Sequence, residues 1–260
     1  MSADNEKNNP PNPLGMVPDR YDGITFVLPP TACTEERRLF LRRTNEILGF
    51  LFVTCLCYKE YRRQFEKIIP DMPFKDATPI KITLKSKMSM MQASRVLSLM
   101  KECIDVIARQ SFIMIYGSFE TYLYALFERS FPYVGVKVDI FEKSLEILMK
   151  GRWDGKFCKI GQIFDIEYKA GQLMGHFSDF KMDFEGKIYK NPLDFLDEIA
   201  KVRHRIVHAS SILENDKMIY VDVDILPVFV GFYNHLTDYI DNMFATRFGY
   251  LRTVLNPAEA

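Results

Sequence analysis

The sequence predicts an all-α fold, a helical bundle with an additional N-terminal helix and long loops. Apolar residues recur three and four positions apart through residues 34–67 and 94–131, the spacing that places them on one side of a helix. The chain has 13 prolines, and none of them falls within these two stretches. The β-prone segments, 80–84 and 219–223, are short and have no evident partner strand. Helices packed on helices are therefore the expected architecture.

The first long helix is predicted to begin after Thr34. This residue is followed by Glu35 and Glu36, an arrangement typical of an N-cap and an acidic first turn. The helix is expected to reach residue 67, and Gly49 is a point at which it can kink. A second long helix is predicted from Ser94 to residue 131.

The later elements follow from local composition and capping signals. Asn191 can cap a helix because Pro192 stands at the first helical position, where a missing backbone N–H costs nothing. The elements predicted after residue 131 are a helix at 139–149, a turn at 151–155 around Trp153, a helix at 159–173, a loop at 174–191, a helix at 191–213 and a helix at 225–248.

The chain is predicted to be one α-helical domain at 19–260, preceded by a disordered tail at 1–18 that is rich in Asn and Pro. Lys plus Arg and Asp plus Glu both number 34, so any polyanion must be held by a local patch. The 5 cysteines form no CxxC pair and are typical of reduced thiols. No secretory signal is evident, and the apolar run at 47–58 is too short to cross a bilayer, so a cytoplasmic protein is expected.

Residues 201–210 concentrate two histidines and two arginines, in a chain with 4 histidines. At roughly 100° per residue, the apolar side chains of this helix form one stripe, and His204 and His208 lie in a polar sector beside it. Arg203 lies at the border and can reach into that sector. The wheel therefore predicts that Arg203, His204 and His208 converge.

Three interpretations of this cluster stay open. It can be a solvated basic helix face, with histidines favoured by the helix dipole. It can be a zinc site, since His204 and His208 have i, i+4 spacing, although Arg205 stands where a zinc protease has its glutamate. It can also perform acid–base catalysis on a phosphodiester, with imidazoles moving protons and a guanidinium stabilising negative charge.

Two segments together resemble a known family. Residues 203–208 (RHRIVH) have the pattern R-polar-x-x-x-H, and residues 118–127 (SFETYLYALF) resemble the small-φ-E-x-[YF]-L helix that often precedes it. They are similar to the HEPN superfamily, whose Rx4–6H motif marks helical, usually dimeric, metal-independent ribonucleases of prokaryotic toxin–antitoxin, abortive-infection and CRISPR-type defence systems. The resemblance covers about residues 94–248, and 19–93 and 139–190 would be elaborations whose role is open.

The resemblance implies an endoribonuclease that needs no metal or cofactor and acts as a homodimer on RNA. Arg203 and His208 would be the catalytic pair. His204 joins them at a position where the family more often has Asn or Asp. Lys201 and Arg205 would contact the RNA backbone, and Glu120 would orient the arginine or a histidine. An antitoxin or defence-complex partner is possible, and the alternative is an inactive HEPN-like module that binds a protein, RNA or nucleotide.

Overall fold

The protein is all-α, as predicted. The structure is a computed structural model that describes residues 32–68, 79–84, 87–135, 150–184, 186–208, 221–249 and 253–254. Its elements, in chain order, are β1 (Ala32–Cys33), α1 (Glu35–Ile68), β2 (Pro79–Leu84), β3 (Lys87–Gln92), α2 (Ala93–Ser130), a 3-10 turn (Phe131–Val134), α3 (Trp153–Phe164), α4 (Ala170–His176), β4 (Met182–Phe184), β5 (Lys187–Tyr189), α5 (Pro192–His208), α6 (Ile225–Phe248) and β6 (Thr253–Val254).

The predicted caps of α1 and α5 are confirmed. The Arg37 backbone N–H donates to the Thr34 hydroxyl at 3.3 Å, so Thr34 closes the first turn of α1. The Leu193 N–H donates to the Asn191 side-chain oxygen at 2.9 Å, which performs the same role for α5. Helix α1 continues through Gly49 as a single element.

The strand predicted at 80–84 is also confirmed, and its partner is β3. Strands β2 and β3 pair antiparallel, from Pro79 opposite Gln92 to Leu84 opposite Lys87. Strand β3 (KMSMMQ) lacks the β-branched and aromatic residues that mark a strand, so the sequence did not reveal it. In the described residues the other pairs are β1 with β6 and β4 with β5.

The segment between α2 and α5 differs from the prediction. Trp153 begins α3 instead of lying in a turn, and the helix predicted at 159–173 is two helices. The first of them ends before Asp165, which adopts a left-handed φ of 51°. A Cβ on Gly161 would lie 2.8 Å from the carbonyl oxygen of Ile166, so glycine is required where the chain turns back against α3.

The segment predicted as a loop at 174–191 contains the end of α4 and a β-hairpin. Strands β4 and β5 pair antiparallel around Gly186, whose φ is 74°. Strands of three residues are too short for an alternating pattern to stand out from a loop. The predictions for 1–18, 139–149 and 209–213 lie outside the described residues.

The core is formed mainly by aromatic side chains, with α1 packed along α2 and with α5 and α6 closing the bundle. Phe119 of α2 lies 4.8 Å from Tyr233 of α6 and 5.5 Å from Trp153 of α3, measured between ring centroids. Met114, one of the apolar residues of α2, lies outside this core and is 55% exposed. Among the described helices, none is both long enough and apolar enough to cross a membrane.

Candidate functional site

Helix α5 carries the candidate site, and its inner side is largely the predicted stripe. Leu196, Ile199 and Val202 are buried against the bundle, as predicted. In the last turn, Ile206 is partly buried against the core, whereas Val207 is 37% exposed. The C-terminal end of α5 therefore stays packed through Ile206, while Arg205, Val207 and His208 are exposed.

His204 and His208 lie side by side on consecutive turns at the C-terminal end of α5. Their ring centroids are 4.2 Å apart, with an interplanar angle of 48°, and both residues are exposed. One turn of helix separates the two residues, so the backbone itself brings the rings together. Two imidazoles at this separation can act on one small group, one accepting a proton while the other donates one.

Arg203 is half-buried and packs against α2. Its guanidinium carbon is 5.8 Å from the centre of the Tyr116 ring, a cation–π distance. Its Nε is buried without a hydrogen-bond partner in the described part of the protein. No hydrogen bond within the described ranges joins Arg203 to His204 or His208. The structure thus brings the two histidines together and places the arginine on a neighbouring aromatic surface.

Glu120 lies beside Arg203, in the half-buried layer between α2 and α5. Burial raises the pKa of its carboxyl group, and the positive charges of Arg203 and Lys156 oppose that rise. The phenol of Tyr116 also has a raised pKa, first because it is buried and then because of the Glu120 charge. Glu120 is therefore positioned to act electrostatically on Arg203.

Lys156 of α3 is a buried cation near this layer. It is 7% exposed, and its Nζ lies 4.1 Å from the centre of the Trp153 ring. Burial lowers the pKa of its amine, while Glu120 and then Asp197 act in the opposite direction. Lys156 thus shares the field of Glu120 with Arg203.

Asp197 holds α3 against α5. One of its carboxylate oxygens accepts the Trp153 backbone N–H at 2.9 Å, and the other accepts the Arg152 Nε–H at 2.9 Å. A carboxylate at the N-terminus of α3 is also favoured by the helix dipole. Asp197 therefore has a structural role.

An open cleft of about 1090 Å³ lies between α3, β5 and α5. Six of its wall residues are Lys or Arg and three are Asp or Glu, so the cleft is basic in a chain of net charge +0. The wall residues are Gly151, Arg152, Trp153, Lys156, Lys187, Ile188, Tyr189, Lys190, Asp194, Asp197, Glu198, Ala200, Lys201, His204 and Arg205.

The two predicted substrate-binding residues, Lys201 and Arg205, both line this cleft. The Lys201 Nζ lies 3.3 Å from one oxygen of Glu198, and the Arg205 guanidinium lies 3.8 Å from the other. Their charges are therefore shared with one carboxylate, which orients them along the cleft wall. His204 reaches the cleft from the same side of α5.

The side of the cleft that faces α5 was not predicted from the sequence. Arg152 lies in the predicted turn and Lys187 and Lys190 lie in the predicted loop, while Lys156 follows directly after that turn. The sequence carries a signal in the basic spacing of GKIYK at 186–190, but an isolated charge pattern does not show which surface it faces. Only the packing of α3 and the hairpin against α5 assembles these cations.

A zinc site gains no support from the other histidines. His176 Nε2 lies 3.0 Å from the carbonyl oxygen of His235, and these two histidines pack against each other. The described residues contain no group of three or more His, Cys, Asp or Glu side chains placed to hold a metal ion. His204 and His208 thus form a pair to which the described chain adds no third ligand.

Comparison of the chain with models of protein families, with curated proteins and with solved structures gives no match in any of the three.

Proposed function

We propose that the protein is a metal-independent endoribonuclease that acts through Arg203, His204 and His208 at a homodimer interface. The observation that carries the proposal is the exposed pair of imidazoles at the edge of a basic cleft, with ring centroids 4.2 Å apart. A phosphodiester needs a group that accepts a proton, a group that donates one, and cations that stabilise charge on phosphorus. The last turn of α5 and its surroundings supply all three.

The chemistry requires no bound metal. One imidazole removes the proton of a ribose 2′-hydroxyl, and the 2′-oxygen forms a bond with the adjacent phosphorus. The bond from phosphorus to the 5′-oxygen then breaks, and the second imidazole gives that oxygen a proton. The products are a 2′,3′-cyclic phosphate and a 5′-hydroxyl. Arg203 stabilises the negative charge that builds on the non-bridging oxygens.

Dimerisation would complete the site. Val207, which lies between His204 and His208 in the sequence, exposes apolar surface on the last turn of α5. A second copy that covers this turn would bring a second set of histidines and cations to the same place. The resemblance to HEPN proteins favours such a dimer and a role in prokaryotic defence or a toxin–antitoxin pair, with an antitoxin or a defence complex as partner.

A second candidate function is an inactive helical module of the same kind, one that binds RNA, a nucleotide or a protein. The position of Arg203 favours it, because the guanidinium packs on Tyr116 and faces Glu120 instead of bonding to a histidine. An arginine held in this way can have a structural role. For Arg203 to take part in catalysis, RNA or the second copy must reach the guanidinium in its position beside Tyr116.

The test is cleavage of labelled RNA by purified protein in EDTA. We expect wild type to cut, and Arg203→Ala and His208→Ala each to lose activity by about 100-fold or more, the usual size of a lost acid–base or charge-stabilising group. Arg42→Ala and His235→Ala are the matched controls, since both residues are exposed and lie outside the cleft. Cleavage by His208→Ala at the wild-type rate would contradict the proposal.

Oligomeric state is measured on the same preparations by sedimentation. We expect a dimer, and we expect specific activity to fall when the protein is diluted into the range where the dimer dissociates. A monomer with full activity at all concentrations would overturn the dimeric site while leaving the ribonuclease proposal standing.

A further inference from the structure

The basic cleft has cations on two opposite sides. Lys201 and Arg205 line the α5 side, and Lys187 and Lys190 line the β5 side. The hairpin that carries β5 belongs to the segment that looks like an elaboration of the HEPN core. Its position across from α5 gives that elaboration a candidate role.

The cations of the two sides differ in how they are neutralised. Glu198 pairs with both Lys201 and Arg205, and Arg152 is paired with Asp194 at 2.7 Å. In the part of the chain that the structure describes, Lys187 and Lys190 have no carboxylate within ion-pair distance. Lys187 instead lies 4.6 Å from the centre of the Tyr189 ring. The hairpin side therefore presents positive charge that no described acidic side chain cancels.

Lys156 adds a buried positive charge in the interior of the cleft. It is 7% exposed, rests on Trp153, and has no ion pair with a carboxylate among the described residues. A cation removed from water without a bonded counter-ion is costly, and an anion that enters the cleft would offset that cost. The lowered pKa of the Lys156 amine has the same cause.

We infer that this cleft binds the sugar-phosphate backbone of single-stranded RNA beside the scissile bond, with Lys187 and Lys190 contacting phosphates at the rim and Lys156 facing one inside. The inference rests on the proposed ribonuclease function and assigns the substrate path of that site. His204 lines the same cleft and lies next to His208, so a strand held there leads to the histidine pair.

Several features favour a single strand. The cleft is concave and about 1090 Å³ in volume, which suits a few nucleotides of a flexible strand. Proteins contact duplex RNA mainly across its wide, shallow minor groove, whereas single strands enter grooves with their bases splayed out. Ile188, 51% exposed between the two hairpin lysines, offers an apolar contact to a base.

The inference is tested by RNA binding in a His208→Ala background, which is expected to block cleavage. Binding of a labelled single-stranded oligonucleotide is measured by fluorescence anisotropy at several salt concentrations. We expect Lys187→Glu with Lys190→Glu to raise Kd by at least about tenfold. The salt slope, which is the slope of log Kd against the logarithm of the salt concentration, should fall by about 1.4, since each phosphate contact contributes about 0.7 for a single strand. The control is Lys59→Glu with Lys169→Glu, which makes the same charge change at exposed lysines outside the cleft.

Lys156→Met provides a second variant, because methionine keeps most of the buried volume and removes the charge. We expect Kd for the single strand to rise and the salt slope to fall by about 0.7. The variant should still unfold in a cooperative thermal transition, which shows that it is folded. A duplex of the same sequence is expected to bind more weakly than the single strand. Equal loss of affinity in the cleft variant and in the control, tighter binding of duplex, or no RNA binding at all would overturn the inference.

These outcomes are distinguishable from failure of the proposed function. The hairpin variant, Lys187→Glu with Lys190→Glu, is also made with His208 intact. If wild type cuts RNA in EDTA, this variant cuts like wild type, and the same change leaves binding unaltered in the His208→Ala background, the cleft is not the substrate path and the ribonuclease proposal stands. If wild type never cuts but the hairpin variant loses RNA affinity as expected, the cleft assignment holds and the catalytic proposal fails.

Discussion

The ring centroids of His204 and His208 lie 4.2 Å apart on consecutive turns at the C-terminal end of α5, held together by the helix itself. Arg203, the residue before His204, is half-buried and packs over the Tyr116 ring of α2. The motif is thus divided between two surfaces. One surface can exchange protons with a substrate, and the other holds a cation next to the half-buried carboxyl group of Glu120.

The first prediction concerns His204. If it transfers a proton together with His208, His204→Asn will lower the cleavage rate by about 100-fold, because asparagine cannot replace imidazole as an acid or base. The rate is measured under single-turnover conditions. His204→Asn at the wild-type rate would show that a polar side chain suffices at this position, as in the family pattern, and that His208 acts without it.

The second prediction concerns the surface under Arg203. Tyr116→Phe keeps the ring and should leave cleavage within about twofold, whereas Tyr116→Leu should lower kcat by about three- to tenfold with KM unchanged, the effect of a lost cation–π contact. Thermal melting of both variants separates this effect from lost stability. Equal kcat for the phenylalanine and leucine variants would mean that the ring does not position Arg203.

The third prediction is a pH dependence of stability that arises from Glu120. Burial raises the pKa of its carboxyl group above the ordinary 4.5, so the folded protein binds this proton more tightly than the unfolded chain does. The stabilisation contributed by the protonated Glu120 carboxyl is therefore fully present at pH values below the ordinary pKa. It is lost as the pH rises through the raised pKa of the folded protein. Glu120→Gln removes this dependence.

Urea unfolding of wild type and Glu120→Gln between about pH 4 and pH 8 tests it. We expect the difference in unfolding free energy to shift in favour of the variant as pH rises. Glu128→Gln, at an exposed position on the same helix, is the control. A difference for Glu120→Gln that does not vary with pH would contradict the electrostatic account of this layer.

The fourth prediction concerns the join between the start of α1 and α6. The buried carboxylate of Asp241 accepts the Thr34 backbone N–H at 3.0 Å and also accepts the Thr34 hydroxyl. Asp241→Ala leaves both donors buried without this acceptor, at a cost of about 2 to 4 kcal/mol of unfolding free energy. Asp241→Asn, which keeps one acceptor oxygen, should lose less. Chemical denaturation measures both, and equal stability of Asp241→Ala and wild type would contradict the assignment.

The sequence predicted the parts of the fold that depend on local signals. Thr34 and Asn191 cap helices because their side-chain oxygens reach N–H groups two or three residues ahead, a relationship visible in the sequence. Helix α6 was likewise predicted with its observed bounds, 225–248. The break at Asp165 was missed because it depends on the close approach of the chain to Gly161, which periodicity does not show.

The candidate site was predictable only along one helix. The i, i+4 spacing of His204 and His208 determines that their rings meet, so the histidine pair could be predicted. The direction of Arg203 depends on where Tyr116 packs, and the cleft depends on how α3 and the hairpin lie against α5. Contacts between elements that are distant in the sequence have no local signature, which is why Lys156 and Lys187 were missed.

We propose that the end of α5 cleaves RNA by attack of a 2′-hydroxyl on the adjacent phosphorus. End-group analysis of RNA cut in EDTA by wild-type protein, with His208→Ala processed in parallel, tests this chemistry. We expect fragments with a 2′,3′-cyclic phosphate and a 5′-hydroxyl from wild type and intact RNA from the variant. Fragments with a 5′-phosphate and a 3′-hydroxyl, or equal cleavage by His208→Ala, would contradict it.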